Sequence, residues 1–348
     1  MGRIRLQDVA ERASVSIKTV SNVVNGKGTV TAATRQRVEE AIALLQYRPN
    51  VAARHLRRGN SGIIAVALPE LNQSYFAELA SEFVHAAKAR QLTVLLNQTE
   101  GKAETERAIS DGVEMPLMDG LVMSPLALSA ADLRHRLDDT PLVLLGEHIG
   151  EDPPFPHVAI DNQEAARAAT EHLIALGRHR IGAIGAEAED RHESANPSET
   201  SVLRLAGYRR ALDDAGIPWR PELVAVVDDF RRADGAAAMH ALLALPDPPD
   251  AVFCFNDLLA LGALRALRDH GLNAPGDVAV IGIDDIEEGR FSSPSLSTVA
   301  PDKKEIARIA IDLLIQRGAR PLEAPRTAVA GHRLIAREST GHIGGGTT

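Results

Sequence analysis

The chain has 348 residues, 45% of them hydrophobic, so it is long enough to bury a large core and to form two or three domains. No stretch of about 18 apolar residues could cross a membrane, and the first residues carry no long apolar signal region, so we expect a cytoplasmic protein. The single cysteine, Cys254, excludes an internal disulfide and a cysteine-based metal cluster, and its apolar neighbours predict a buried side chain without a chemical role.

The net charge of -9 conceals a basic segment at the start of the chain. Residues 1–60 contain eleven Lys and Arg against four Asp and Glu, a net charge of +7, which leaves -16 for the remainder. A small basic head on an acidic body is typical of a phosphate-binding module joined to a part that does not itself bind DNA. A basic tail that only aids solubility is the alternative.

Apolar residues at helical spacing predict three short helices within the first 47 residues. Ser14-Val15-Ser16 separates the first two helices, and Ser16 and Thr31 are placed to cap the second and the third. Two helices joined by about three residues and followed by a third are typical of a helix-turn-helix domain. An ordinary three-helix bundle has the same spacing, but the local charge favours DNA binding.

The second helix turns Val20, Val23 and Val24 inward, which leaves an outward face on its N-terminal half. The residues predicted to read base edges from this face are Ile17, Lys18, Ser21 and Asn22. Lys18 can donate to guanine acceptors, Asn22 can pair with an adenine edge, and Ile17 can contact a thymine methyl group. The residues predicted to contact phosphates, which fix register without reading sequence, are Ser16, Thr19, Thr34 and Arg35.

A short helix is predicted after Pro49, with Asn50 as its cap and its body over Val51–Arg58. It ends at Gly59 and is too short to be stable alone in water. Ala52, Ala53 and Leu56 form one small apolar face, which favours a helix with a partner over a simple basic linker.

From Ile63 onward the chain alternates apolar runs with amphipathic helical patterns. This alternation predicts an α/β body in which two doubly wound lobes of parallel strands follow one another. Because ligands bind outside the carboxyl ends of parallel strands, two such lobes facing each other would enclose a small molecule.

The chain resembles the LacI/GalR family of bacterial repressors over nearly its whole length. The matching segments in the head are Leu6–Ala10, Val15–Ser21, Val24–Gly26 and Tyr47–Asn50. Those in the body are Asp161-Asn162, His172–Gly177, Arg204–Tyr208, Asn256-Asp257, Gly282–Asp285 and Arg333–Thr340. The head departs from the family twice: Ser14 replaces a glycine, and Asn22 stands where arginine is common. Asn22 therefore implies an operator that differs from the commonest half-site.

The resemblance implies a domain order and a role for the short helix. The helix would fold on DNA, pair with its dimer mate in the minor groove and insert Leu56 between base pairs, with Asn50 and Ala53 beside it. The body would have a periplasmic-binding-protein-like fold, with lobe crossings near 161, 290 and 322. The domains expected are 1–47 helix-turn-helix, 48–61 hinge helix and linker, 62–161 with 291–322 N-terminal lobe, 162–290 with 323–340 C-terminal lobe, and 341–348 disordered tail.

Four polar residues at strand ends match ligand positions of the family. Asp284 and Asp161 can accept hydrogen bonds from hydroxyls, Arg204 can donate a fork of hydrogen bonds, and Asn256 can do both. Asp161, and Asp257 directly after Asn256, each precede a predicted helix. For both, capping that helix is an equally good alternative to binding a ligand.

The remaining candidates are weaker. Phe230 aligns with an aromatic residue that stacks on the ligand in similar proteins, although a lone Phe is more often core. Tyr75 and Phe76 resemble the family's aromatic pair, with Gln73-Ser74 in place of the usual Asn-Pro. Two further strand-end residues and one at the end of a polar loop complete the set: Ser124, Glu147 and Thr200.

The function expected is that of a sequence-specific DNA-binding regulator, a repressor, whose operator affinity depends on a small effector. Carboxylates with one arginine favour a sugar or related polyol as the effector. A purine and a phosphorylated sugar are the alternatives. A reading head too small for specific affinity alone predicts a homodimer or tetramer on a pseudo-palindromic operator. No cofactor or metal is expected.

Three other functions are alternatives to a DNA-binding regulator. An enzyme on this architecture would need a dinucleotide glycine pattern, a phosphate-loop lysine, a nucleophile elbow or a metal-binding histidine pair, and the sequence has none. A solute-binding protein would need an export signal and no basic head. A nonspecific nucleoid protein differs in that no single DNA sequence would outcompete bulk DNA.

Overall fold

The computed structural model describes residues 4–24, 28–47, 60–113, 118–150, 153–187, 200–319 and 327–341. The chain divides into two compact units, Met1–Ser61 and Gly62–Thr348. The predicted hinge residues Asn50, Ala53 and Leu56 lie outside the described residues, as do residues 188–199 and 342–348.

The first unit contains the three predicted helices, α1 (Leu6–Ala13), α2 (Ile17–Val24) and α3 (Ala32–Leu45). Val9, Val20 and Val38 are fully buried, one from each helix, and form the centre of a small core. The 3.6-residue periodicity of the sequence therefore predicted both the helices and their inward faces.

The first lobe of the second unit is a six-stranded sheet. Its strands are β1 (Ile63–Leu68), β2 (Thr93–Gln98), β3 (Gly120–Met123), β4 (Leu142–Leu145), β5 (His157–Ile160) and β11 (Thr327–Ala330). They lie in the order β11-β5-β4-β3-β1-β2, and every pair is parallel. Its helices are α4 (Ser74–Lys88), α5 (Ala103–Ser110), α6 (Ala130–Arg134) and α12 (Lys303–Ala319). Apolar clusters on both faces explain why the central strands are continuous hydrophobic runs.

The second lobe is also a six-stranded sheet. Its strands are β6 (Ile181–Ala186), β7 (Val224–Val226), β8 (Ala251–Cys254), β9 (Ala279–Ile283), β10 (Ser297–Pro301) and β12 (His332–Ile335). They lie in the order β12-β10-β9-β8-β6-β7 and are parallel except for the edge pair of β10 and β12. Its helices are α7 (Asn162–Ala175), α8 (Thr200–Asp214), α9 (Arg232–Leu243), α10 (Asp257–Asp269) and α11 (Glu287–Phe291).

The chain crosses between the lobes at three places, and only the first lies where the resemblance implied. The crossing near 161 separates β5 from α7. The crossing implied near 290 is wrong, because β10 pairs with β9 and stays in the second sheet, so that the return to the first lobe begins at Lys303. The crossing implied near 322 is also wrong, because β11 pairs with β5 in the first sheet and the chain crosses between Ala330 and His332.

Helices α7 and α8 approach each other at Gly207. A Cβ atom there would lie 2.1 Å from the backbone oxygen of Gln163, so only glycine allows this helix contact. The contact fixes the middle of α8 against the first turn of α7, and so helps to position the side chains that α8 carries. Among the described residues, no helix has both the length and the apolar character needed to cross a membrane.

Candidate functional site

The turn of the helix-turn-helix is built by two serines. Ser14 ends α1 in the left-handed conformation, with φ 52° and ψ 49°, which is where glycine is usually found. Ser16 accepts a hydrogen bond of 3.0 Å from the backbone N–H of Thr19 and so caps α2, as predicted. Thr31 caps α3 in the same way by accepting from the N–H of Thr34.

The outer face of α2 carries the residues predicted to read bases. Ile17, with 49% of its surface exposed, and Lys18 lie open on the first turn of the helix. Ser21 and Asn22 are half-buried one turn later, while Val20 and Val23 lie in the core. An exposed first turn on a second helix is the geometry that places side chains in the major groove.

The residues predicted to contact phosphates lie at the N-termini of α2 and α3. The hydroxyls of Ser16 and Thr19 are 2.9 Å apart, and Thr31 donates to Thr34 over the same distance. Arg35 is half-buried beside them. Helix N-termini with hydroxyl side chains suit a phosphate, because backbone N–H groups and the helix dipole both favour negative charge.

A cavity of about 500 Å³ lies in the second unit, outside the carboxyl ends of the strands of both lobes. The first lobe contributes Ser124 after β3 and Glu147 after β4, and the second lobe contributes Asn256 after β8 and Asp284 after β9. The position agrees with the rule that ligands bind at the carboxyl ends of parallel strands.

Asp284 presents a buried carboxyl group to this cavity. Its backbone has φ 125°, which is unusual for a residue with a side chain, and its N–H donates to the carbonyl of Val299 over 2.9 Å. Burial raises the pKa of Asp284 to about 6; the positive charges of Arg204 and Lys303 oppose the shift, and Glu78 adds to it.

Glu147 lies across the cavity and links the two lobes. It accepts a hydrogen bond of 3.1 Å from the N–H of Ile160 in the first lobe and one of 3.4 Å from the hydroxyl of Thr200 in the second. Burial raises the pKa of Glu147, although the Ile160 N–H and the charge of Arg204 favour its ionised form. Two carboxyl groups of raised pKa with one guanidinium form a site rich in hydrogen-bond acceptors.

Aromatic side chains form the apolar part of the cavity wall. Tyr75 and Phe76 make an edge-to-face contact with ring centroids 5.3 Å apart, and Phe230 packs edge-on against Phe255 at 6.5 Å. Burial raises the pKa of Tyr75, and the nearby Asp284 and Glu147 add to the shift, so its hydroxyl stays neutral and can donate. Acceptors opposite aromatic rings suit a ligand with both hydroxyls and an apolar face.

The structure brings together nine of the ten residues predicted to bind the effector. Those lining the cavity are Tyr75, Phe76, Ser124, Glu147, Thr200, Arg204, Phe230, Asn256 and Asp284. Asp161 does not line it: its side chain is exposed and accepts a hydrogen bond of 2.9 Å from the N–H of Glu164, which caps α7. Asp161 is therefore the cap of α7, the alternative to a ligand-binding role that its position before a helix predicts.

Several lining residues were not predicted from the sequence. Glu187 directly follows β6 and accepts a hydrogen bond of 2.6 Å from Ser201, and His148, Asp228 and Asp229 also line the cavity. Applying the strand-end rule to β6 and β7, as it was applied to β3 and β4, would have found Glu187 and Asp228. Arg204 is the one Lys or Arg among the described residues of the wall.

A larger cavity of about 800 Å³ lies elsewhere in the second unit. Its charged residues largely neutralise one another, as Lys303 does with Glu78 at 2.6 Å and Arg290 with Asp285 at 2.8 Å. None of the predicted effector residues lines it, so the smaller cavity at the strand ends is the candidate site.

Two family models match the chain. Residues 5–50 match the bacterial regulatory proteins of the lacI family, and residues 170–340 match a periplasmic-binding-protein-like domain. The HTH-type transcriptional repressor CytR of Escherichia coli (strain K12) is 34% identical over 315 residues, which cover 90% of this chain and 89% of that protein. This chain belongs to the lacI family of bacterial regulatory proteins.

Solved structures of the family share the same fold. A complex of the transcriptional regulator CelR with cellobiose is 31% identical, has a TM-score of 0.69, and the match covers 97% of this chain and all of that one. The lac repressor dimer bound to operator and the anti-inducer ONPF is 26% identical, with a TM-score of 0.81 and coverage of 97% and 99%. The chain is thus a transcription regulator with a DNA-binding head and a ligand-binding body, as the sequence predicted.

Proposed function

We propose that this lacI-family regulator is a repressor that binds its operator through α1–α3 and whose operator affinity is set by a polyhydroxylated effector, a sugar or polyol, in the 500 Å³ cavity. The observation that carries the proposal is the presence, in one chain, of a capped helix-turn-helix and a cavity in which buried carboxyl groups face aromatic rings. The proposal includes a cytoplasmic location, because the operator DNA that a bacterial repressor binds lies there.

The lining of the cavity supports a hydroxyl-bearing effector. Its walls combine acceptors, Glu147 and Asp284, with donors, Arg204 and Tyr75, and a sugar hydroxyl needs both. The unfavourable burial of two acidic groups beside one cation disfavours an anionic ligand, such as a phosphorylated sugar. CelR, which this chain resembles, was solved with cellobiose, a neutral disaccharide.

The head supports recognition by a dimer on a two-fold symmetric operator. One reading helix presents Ile17, Lys18, Ser21 and Asn22, too few groups for specific affinity alone. Two copies would read half-sites about one turn of DNA apart. The lac repressor, with which this chain shares its fold, was solved as an operator-bound dimer.

A regulatory rather than catalytic role is also part of the proposal, because the curated relatives are transcriptional repressors. Delivery of a solute to a transporter is disfavoured by the DNA-binding head.

The test of the DNA-binding part is selection of duplexes from a random pool by the full-length protein. Wild type should enrich a pseudo-palindrome. Lys18→Ala should relax the sequence preference at one base pair in each half-site. Arg35→Ala removes a predicted phosphate contact, so it should weaken binding to all sequences alike and lower the salt dependence of binding. A pool that shows no enriched sequence would contradict sequence-specific binding.

The test of the effector part is a thermal-shift screen of neutral sugars, sugar phosphates and nucleobases, with D-cellobiose and D-ribose included. A ligand that binds only the folded state raises the unfolding temperature. The proposal predicts that the hits are neutral polyols. Hits confined to phosphorylated compounds would contradict the effector class and leave the DNA-binding part standing.

A further inference from the structure

Asp257 is a wholly buried acidic residue without a role in the proposed binding of DNA or effector. It is the first residue of α10, but the cap of that helix is Asn256, whose side-chain oxygen accepts a hydrogen bond of 2.8 Å from the N–H of Leu259. The capping role considered for Asp257 from the sequence is therefore wrong by one residue. Its side chain does not line the cavity either.

The carboxyl group of Asp257 instead reaches the segment that follows β9. Its Oδ2 accepts a hydrogen bond of 3.0 Å from the N–H of Ile286, and its Oδ1 lies 2.7 Å from the hydroxyl of Thr298. The same Thr298 hydroxyl accepts from the N–H of Asp285 over 3.3 Å. Asp257 thus holds two consecutive amides of the Asp284–Ile286 turn, one directly and one through Thr298.

This turn needs such support because its backbone is strained. Asp284 has φ 125° and Asp285 has φ 51°, conformations that residues with a side chain adopt only when the surroundings enforce them. The strain has a consequence for the cavity, since it is this conformation that directs the Asp284 carboxyl group into the wall. Releasing the Ile286 amide would allow the turn to relax and Asp284 to leave its place.

The surroundings of Asp257 disfavour a charge. Asp257 forms no ion pair with any described residue, whereas Asp285, whose amide it supports through Thr298, is paired with Arg290 at 2.8 Å and with Arg337 at 2.5 Å. Burial raises the pKa of Asp257 well above its usual range, and the negative charge of Asp284 adds to the shift. Protonated, Oδ1 would donate to Thr298, whose hydroxyl could then donate to the Val299 carbonyl at 3.4 Å.

We infer that Asp257 is a positioning residue: through its hydrogen bonds with the Ile286 amide and the Thr298 hydroxyl it pins the Asp284–Ile286 turn and so holds the Asp284 carboxyl group at the cavity wall. The inference rests on the proposed function in that Asp284 is taken to bind the effector. Close packing also fixes the position of the Asp257 carboxyl group, since a Cβ atom on Gly282 would lie only 2.2 Å from Asp257 Oδ1.

The test is hydrogen exchange of the full-length protein without effector, followed by mass spectrometry of peptides within 282–290. Asp257→Ala removes both contacts, and we expect the Ile286 amide to exchange at least tenfold faster. Asp257→Asn keeps an acceptor for Ile286 and a donor for Thr298, as the neutral acid does, so exchange should stay within about twofold of wild type. Thr298→Val should speed the exchange of the Asp285 amide and leave that of the Ile286 amide unchanged.

A matched control is Asp161→Ala, which removes an acidic cap in the same lobe and should leave 282–290 unchanged. Unchanged exchange at Ile286 in Asp257→Ala would overturn the pinning role. An Asp257→Asn protein as perturbed as Asp257→Ala would overturn it too, because the amide keeps a partner for both Ile286 and Thr298. If Asp257→Ala does not fold, unchanged exchange at Asp285 in Thr298→Val overturns the inference. Because no effector is present, failure of the sugar screen would leave these results intact.

Discussion

The Nε atom of Arg204 donates a hydrogen bond of 2.7 Å to the side-chain oxygen of Asn162, and both side chains are buried. Arg204 lies on α8, and Asn162 is the first residue of α7, immediately after the chain enters the second lobe. Nη1 donates to the carbonyl of Phe255, whereas Nη2 forms no hydrogen bond to a described residue. Two anchors thus hold the guanidinium in place and leave one nitrogen for a ligand.

Asn162→Ala should weaken effector binding by about three- to tenfold, although Asn162 does not line the cavity. The loss of a hydrogen bond to a charged group, about 1.5 kcal/mol or more, would free Arg204 to turn away. Calorimetric titration with the strongest sugar of the screen measures the effect. Glu164→Ala, on the same helix but half-buried and paired with Arg167, is the control and should bind normally. Equal affinities for wild type and Asn162→Ala would rule out the anchoring role.

Asp284→Asn should stabilise the folded protein at pH 7.5 by about 1–3 kcal/mol. The pKa of Asp284 is raised to about 6 in the folded protein, above its value in the unfolded chain, so the folded state holds its proton more tightly. The stability that the neutral form contributes is fully present below about pH 4 and is lost as the pH rises through 6. Urea unfolding between pH 4 and 7.5 should show the gap between variant and wild type closing at low pH.

Asp285→Asn should change stability in the opposite direction to Asp284→Asn, so it serves as the control for that variant. Burial would raise the pKa of Asp285, but hydrogen bonds from Arg337 and Arg290 outweigh it and hold the pKa low. Its ionised form stabilises the fold above the pKa of the unfolded chain and ceases to do so as the pH falls through the lowered value. The variant should therefore be less stable than wild type at pH 7.5, and a gap that widened on acidification would contradict the assignment.

Ser14→Gly should stabilise the helix-turn-helix by about 0.5–1 kcal/mol, because φ 52° is strained for serine and not for glycine. Slower hydrogen exchange of peptides within 6–24 in the full-length protein would report this gain. Ser16→Ala, two residues later, removes the cap of α2 and should speed the same exchange. Changes of the same sign in both variants would not fit this description of the turn.

Gly207→Ala should destabilise the second lobe by about 1–3 kcal/mol or more, since its Cβ would meet the Gln163 oxygen at 2.1 Å and force α7 and α8 apart. Gly276→Ala is the matched control, because no atom lies within 4 Å of the added methyl group. Thermal unfolding compares the two. A Gly207→Ala protein as stable as Gly276→Ala would show that the helices can separate without cost.

Local rules of the sequence predicted most of the site. Helical spacing gave α1–α3, and the strand-end rule with the family resemblance gave residues such as Glu147 and Asp284, because a side chain just after a parallel strand is bound to lie at the ligand edge. The same rules could not tell whether Asp161 caps a helix or binds a ligand, because an acidic residue between a strand and a helix fits both patterns equally.

Features that depend on distant pairing escaped prediction. The last two crossings between the lobes depend on the pairing of β11 with β5 and of β10 with β9. Such pairing depends on which sheet edge is free, and the composition of the strands does not reveal it. The role of Asp257 depends on a turn 29 residues later and could not be read from its own surroundings in the chain.

The most direct test of a DNA-binding head controlled by the cavity is fluorescence anisotropy of the selected operator, with and without the strongest sugar of the screen. Wild-type affinity should change at least fivefold when the sugar is added. Arg204→Ala and Asp284→Ala should bind the operator within about twofold of wild type without sugar and show no change with it, because an effector shifts an equilibrium only through differential binding. Folded variants that respond to the sugar as wild type does would contradict control through this cavity.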